Sequence, residues 1–163
     1  MNARIALLCL LAIVPLAATA DDSQNVKIVQ TMIELVNARD LDALGTVVAE
    51  DVVRHSDATP GVTVSSLDEF KAFLTADFAS IPDSVQEIEA IFGDGDMVAV
   101  RARYGGTQSG PMGPFPPSGK TVRLTFMAML RIENNKIAEI WVEWDNLTIL
   151  GQLGLLPPAP TTE

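Results

Sequence analysis

The chemistry available to this chain concentrates in one run, Ile137-Ala138-Glu139-Ile140-Trp141-Val142-Glu143-Trp144-Asp145. In an extended strand, alternate side chains share a face, so Trp141, Glu143 and Asp145 set an aromatic wall beside two carboxylates. If that face lines a cavity, loss of hydration raises the carboxyl pKa toward neutrality and lets Asp145 exchange a proton with a bound molecule. The competing reading is local: Asp145 accepts from the N–H groups that open a short following helix.

His55, the one histidine, follows in Val52-Val53-Arg54-His55-Ser56. It is suited either to hydrogen-bonding a substrate carbonyl or sharing a proton with Asp145, or to a purely structural hydrogen bond. Arg101 and Arg103 alternate with Val100 and Ala102, so Arg103 either presents a cation to the interior or stands in solvent. Phe126, Met127, Met112 and Phe115 supply adaptable apolar lining.

Other chemistries find no support. There is no Gly-x-Gly-x-x-Gly, no phosphate-binding Gly-Lys-Ser/Thr loop and no Gly-x-Ser-x-Gly elbow. One histidine and one cysteine leave too few ligands for an imidazole or thiolate metal site, so the sequence calls for no metal and no cofactor.

These residues need elements to hold them. Val26, Val29, Ile33 and Val36 recur at helical spacing and predict a helix over residues 24–39. Asp40 is placed to cap a second, short helix through Leu41, Leu44 and Val48. Ser66-Leu67-Asp68-Glu69 is a capping box ahead of Phe70, Phe73, Leu74 and Phe78, and Ile81-Pro82 ends that third helix. From Val85 the pattern turns to strands: one hairpin through Gly93-Asp94-Gly95-Asp96, then a loop rich in glycine and proline, then a second hairpin around Asn134-Asn135. A last short helix is expected through Ile149 to Leu153. Helices first and strands second predict an α+β fold, a bent antiparallel sheet in the shape of a cone around about three helices.

Residues 1–20 have the layout of a secretory leader: Arg4, an apolar run from Ile5 to Leu16, then Ala18-Thr19-Ala20 before Asp21. Cleavage after Ala20 is expected, giving a secreted or periplasmic product without Cys9 and with one domain over residues 21–155. Residues 156–163, with three prolines, read as a loose tail. The whole chain after Ala20 carries ten basic and 21 acidic side chains, which disfavours nucleic acid and anionic headgroups as partners. No stable membrane insertion is expected either; a small apolar molecule and a second copy of the chain are the partners the pattern suits.

Several segments in order resemble the SnoaL-like polyketide cyclase family, also called ester cyclases, of the nuclear transport factor two-like superfamily. They are Asn37-Ala38-Arg39-Asp40-Leu41-Asp42-Ala43-Leu44, Val53-Arg54-His55, Ile81-Pro82-Asp83, Gly105-Gly106-Thr107-Gln108-Ser109-Gly110, and Pro116-Pro117-Ser118-Gly119-Lys120. Arg131-Ile132, Lys136-Ile137, Trp141 with Asp145, and Gln152-Leu153-Gly154 complete the set. The resemblance implies a cone of curved sheet closed by three helices, often a homodimer, with a pocket at the wide end. It implies intramolecular aldol ring closure without metal or cofactor, with Asp145 as general acid and base and His55 beside it. Gln108 stands where members often carry histidine. Three functions are therefore open: a cofactor-free cyclase, isomerase or hydrolase, an exported small-ligand binding protein, and a pairing module.

Overall fold

The computed structural model describes residues 19–156. Most of the expected leader and residues 157–163 of the expected tail lie outside them. Helix α1 spans Thr19–Ala38, and its Val29, Ile33 and Val36 are buried, as their spacing requires. Helix α2 spans Leu67–Ser80. Ser66 accepts from the Glu69 N–H at 3.2 Å, while the Glu69 carboxylate reaches back to the Ser65 N–H at 2.7 Å.

The stretch between them departs from the sequence reading. Asp40 does accept from the Ala43 N–H, at 3.1 Å, but only a 3₁₀ turn follows, Ala43–Thr46. Val48 opens strand β1, Val48–His55, instead of closing a helix. Val47, Val48, Val52 and Val53 are β-branched and gain more from a half-buried sheet than from a helix.

Strands β2 (Val85–Asp94), β3 (Met97–Thr107), β4 (Thr121–Glu133) and β5 (Lys136–Trp144) follow, and helix α3 covers Asn146–Leu153. Asn134 and Asn135, at φ 51° and 60°, supply the two left-handed residues that a tight hairpin turn needs. The sheet order is β1-β5-β4-β3-β2. Pairing is antiparallel except at one edge, where β1 runs parallel to β5, so the sheet is mixed and not wholly antiparallel. It is curved and unclosed, with three helices packed on it, an α+β cone.

Register and burial separate its two faces. Val98, Val100 and Ala102 of β3, Ala128, Leu130 and Ile132 of β4, and Ile137 and Ile140 of β5 are buried against α1 and α2. A branched side chain so buried contributes about 1.5–3 kcal/mol. The other, outer face carries a row that crosses all five strands: His55, Trp141, Met129, Ala99 and Phe92. A second, smaller apolar cluster of Ile81, Val122 and Leu153 lies where α3 meets the sheet, with Tyr104, Met112 and Ile149 packed on it.

Candidate functional site

The candidate residues divide among four places. Trp141 and His55 are register partners on the outer face, their rings stacked with centroids 5.3 Å apart and planes 14° apart. His55 Nε2 lies 2.8 Å from Glu139 Oε1, and Arg131 Nε donates to Glu139 Oε2 at 3.1 Å. The His55 hydrogen bond, followed by that of Arg131, holds the Glu139 carboxyl below its ordinary range. Met127 is on the same face and 61% exposed. Arg103 is also there, half-exposed and ion-paired with Glu87 and Glu89. These four therefore lie together on the sheet side turned away from the helices.

Phe126 is the candidate on the covered face, where it pairs with Trp144 and packs on the main core. Gln108 is 1% exposed and serves the loop between β3 and β4. Its amide N–H groups donate to Gly110 O at 2.9 Å and Pro116 O at 3.0 Å, and its Oε1 accepts from Ser118 N–H at 2.9 Å. Phe115 is half-buried in that loop, its backbone bridged to Met112.

Asp145 lies just past β5 and caps α3. Oδ1 accepts from the Leu147 N–H at 2.9 Å and the Thr148 N–H at 3.2 Å, and Oδ2 accepts from Thr148 Oγ1–H at 2.6 Å. The Thr148 hydroxyl, then the Thr148 amide, pull its pKa below the ordinary value. This is opposite to the rise that desolvation in a cavity predicts. Trp141 and Glu143 share a face as alternation requires, but the Glu143 carboxylate is taken by the Asp57 and Ala58 amides at 2.8 and 3.0 Å.

The covered face holds what sequence reasoning missed. Arg54, on the last turnings of β1, is 7% exposed. Its guanidinium carbon lies 4.3 Å from the Phe73 ring centroid of α2 and 5.6 Å from that of Trp144. Such contacts favour a cation over the ring face. Its one side-chain hydrogen bond among the described residues goes to neutral Thr59 Oγ1 at 3.0 Å, and it forms no ion pair among them. Burial lowers the Arg54 pKa, an effect that nearby Glu143 opposes. Two residues on, Ser56 Oγ is buried without a hydrogen-bond partner among the described residues. The signal available in sequence was Arg54 inside Val-Val-Arg-His, a cation in an apolar strand.

One turn after Phe73, Asp77 accepts from the Tyr104 hydroxyl of β3 at 2.8 Å. Burial raises the Asp77 pKa, against the lowering effects of Tyr104, Arg39 and Ser84. Burial, with the Asp77 charge, pushes the Tyr104 phenol up as well. Among the described residues no three His, Cys, Asp or Glu side chains group as metal ligands, and no helix is long and apolar enough to cross a membrane.

Comparison with solved structures returns the same fold. IdmH from Streptomyces antibioticus is 28% identical, with a TM-score of 0.71 over 80% of this chain and 99% of that one. AclR from Streptomyces galilaeus is 26% identical, with a TM-score of 0.72 over 85% and 86%. A SnoaL-like polyketide cyclase from Agrobacterium tumefaciens C58 is 27% identical, with a TM-score of 0.66 over 80% and 98%. No curated protein matches the chain. The model of the SnoaL-like polyketide cyclase family matches residues 26–153, most of the described structure and all five strands, and the chain belongs to that family.

Proposed function

We propose that the covered face of the sheet binds one small, largely apolar molecule, held between Phe73, Phe126 and Trp144 with an oxygen against the Arg54 guanidinium. The observation that carries this reading is Arg54 itself, a cation 7% exposed, set against two aromatic rings and without an ion pair among the described residues. Burying a charge this way is costly unless something shares it. A ligand carbonyl, enolate or carboxylate does so, and Ser56 Oγ offers a second polar contact nearby. Family membership supports small-molecule binding and chemistry of the cyclase type. Secretion with cleavage after Ala20 belongs to the same proposal.

The test is calorimetric titration with 2-tetralone, an apolar bicyclic ketone of suitable size. The full-length protein should bind it, and Arg54→Met should weaken binding about tenfold, the loss of one charge-assisted hydrogen bond. No detectable binding by the parent protein, or equal binding by the variant, overturns the assignment.

One observation favours a second, compatible role. Met127, Met129 and Phe92 are 61%, 52% and 66% exposed on one continuous outer face. A patch of this kind suits a protein interface, and a second copy of the chain is its proposed occupant.

A further inference from the structure

The two apolar clusters do not merge. Phe73 and Phe126 pack on the main core, whereas Tyr104 packs on the smaller cluster with Met112 and Ile149. Asp77 stands between these sets. It shares the α2 face of Phe73 at a spacing of four residues, and its carboxylate reaches across to the Tyr104 hydroxyl on the covered face of β3. The same α2 face thus offers the Phe73 ring to the Arg54 cation and, one turn on, a carboxylate to the sheet.

The surrounding charges leave Asp77 without a salt bridge among the described residues. Arg39, at the end of α1, spends its guanidinium on Pro82 O, Ser84 O and Ser84 Oγ, and stacks on Phe78 at 4.0 Å. Asp83 accepts from Thr107 N and Oγ1. Ser84 is buried beside the pair. Asp77 thus has neutral hydroxyls, those of Tyr104 and Ser84, as its hydrogen-bond partners, which suits a group that must change protonation state.

We infer that the Asp77–Tyr104 pair is the proton-exchanging group of this site, acting on a carbon next to the carbonyl whose oxygen Arg54 holds. The inference rests on the binding reading above. The Asp77 carboxylate takes a proton from that carbon. The C–H pair becomes the C=C bond of an enolate, and the carbonyl π pair moves to the oxygen facing Arg54. The carboxyl proton exchanges with solvent, Asp77 then delivers a proton, or in D2O a deuteron, to the carbon and is regenerated, so the step needs no oxidant or co-reactant besides water. Burial makes Asp77 a stronger base than an exposed aspartate, and the Tyr104 bond limits that rise.

The experiment follows deuterium uptake into 2-tetralone in D2O by proton NMR, with binding measured in parallel. The parent protein should accelerate exchange at least about 100-fold over buffer, within the range of general-base catalysis. Asp77→Asn should abolish the acceleration while still binding the ketone, and Asp145→Asn should retain it. Tyr104→Phe removes the hydrogen bond that lowers the Asp77 pKa, so its rate profile should move to higher pH, a shift that a merely structural tyrosine does not cause. Exchange that survives Asp77→Asn, exchange lost only in Asp145→Asn, or binding without exchange each overturns the inference. Absence of binding instead overturns the pocket assignment on which it rests.

Discussion

The His55 imidazole stacks on the Trp141 indole across the parallel β1–β5 pair, 5.3 Å between centroids, on the face of the sheet turned away from α1 and α2. The two side chains that sequence reasoning singled out therefore support each other, with Glu139 and Arg131 completing a surface chain of contacts. The covered face instead gathers Arg54, Phe73, Trp144, Asp77 and Tyr104.

The outer row makes a prediction about assembly. Met129 lies next to Trp141 and Ala99 in register, so a charge there falls in the middle of the apolar patch. The parent protein should sediment as a dimer at tens of micromolar, and Met129→Glu should be a monomer with an unchanged circular dichroism spectrum. A monomeric parent refutes the outer-face interface.

Glu139 sets one part of the pH response. Its pKa is lowered in the fold by His55 and then Arg131, so the unfolded state binds protons at higher pH than the native state. The resulting stability is present above the ordinary glutamate range and is lost as pH falls through the folded value. Thermal melts from pH 7 to pH 3 should show a shallower acid decline for Glu139→Gln than for the parent; parallel curves refute the linkage.

Asp77 acts with the opposite sign. Burial raises its folded pKa, so the native state holds the proton longer than the unfolded one. Stability therefore falls as pH rises from the ordinary aspartate range through the folded value. Asp77→Asn keeps an oxygen for Tyr104 and removes the ionisable proton, so it should melt higher than the parent at pH 7. The advantage should shrink toward pH 3. A variant less stable than the parent at pH 7 marks Asp77 as a purely structural anchor.

How legible this was in sequence depended on which physical signal each element carried. Capping chemistry and turn residues are local, so Ser66 with Glu69 and Asn134-Asn135 placed α2 and the second hairpin correctly. Strand β1 was not legible. Leu44, Val48 and Val52 are spaced by four, which mimics a helix, and the irregular register between Val48 and Val53 breaks the alternation that marks a strand. Alternation correctly joined Trp141 to Glu143, but β5 puts a tryptophan on each side, Trp141 and Trp144, and the choice of covered face was made by α1 and α2, far away in sequence. Arg54 went unnoticed for the same reason: its aromatic neighbours come from α2 and β5.

The N-cap geometry at Asp145 separates folding from chemistry. Asparagine caps nearly as well as aspartate, whereas alanine cannot accept from Leu147 and Thr148. Asp145→Ala should lower the melting temperature by a few degrees, and Asp145→Asn should remain near the parent. Equal melting temperatures for all three proteins show that the cap contributes nothing measurable.

Gln108 fixes the loop that closes over the end of α2. Its side-chain amide makes three hydrogen bonds to the backbone of residues 110, 116 and 118, and Gly110 N–H donates to Ser80 O at 3.0 Å. A side chain at Gly110 meets the Ala79 backbone directly, so loop and helix approach as closely as glycine allows. Gln108→Leu fills a similar volume but leaves Gly110 O, Pro116 O and Ser118 N–H without these partners in a part-buried loop. At about 1 kcal/mol for each bond lost, the variant should be destabilised by about 3 kcal/mol in urea unfolding. Histidine has at most two ring nitrogens and cannot replace all three contacts, so Gln108→His should fall between leucine and the parent. Met112 of this loop packs on the cluster that holds Tyr104, so a loosened loop also releases one wall beside the Asp77–Tyr104 pair. A Gln108→Leu protein with parental stability removes the loop's anchoring role and that connection together.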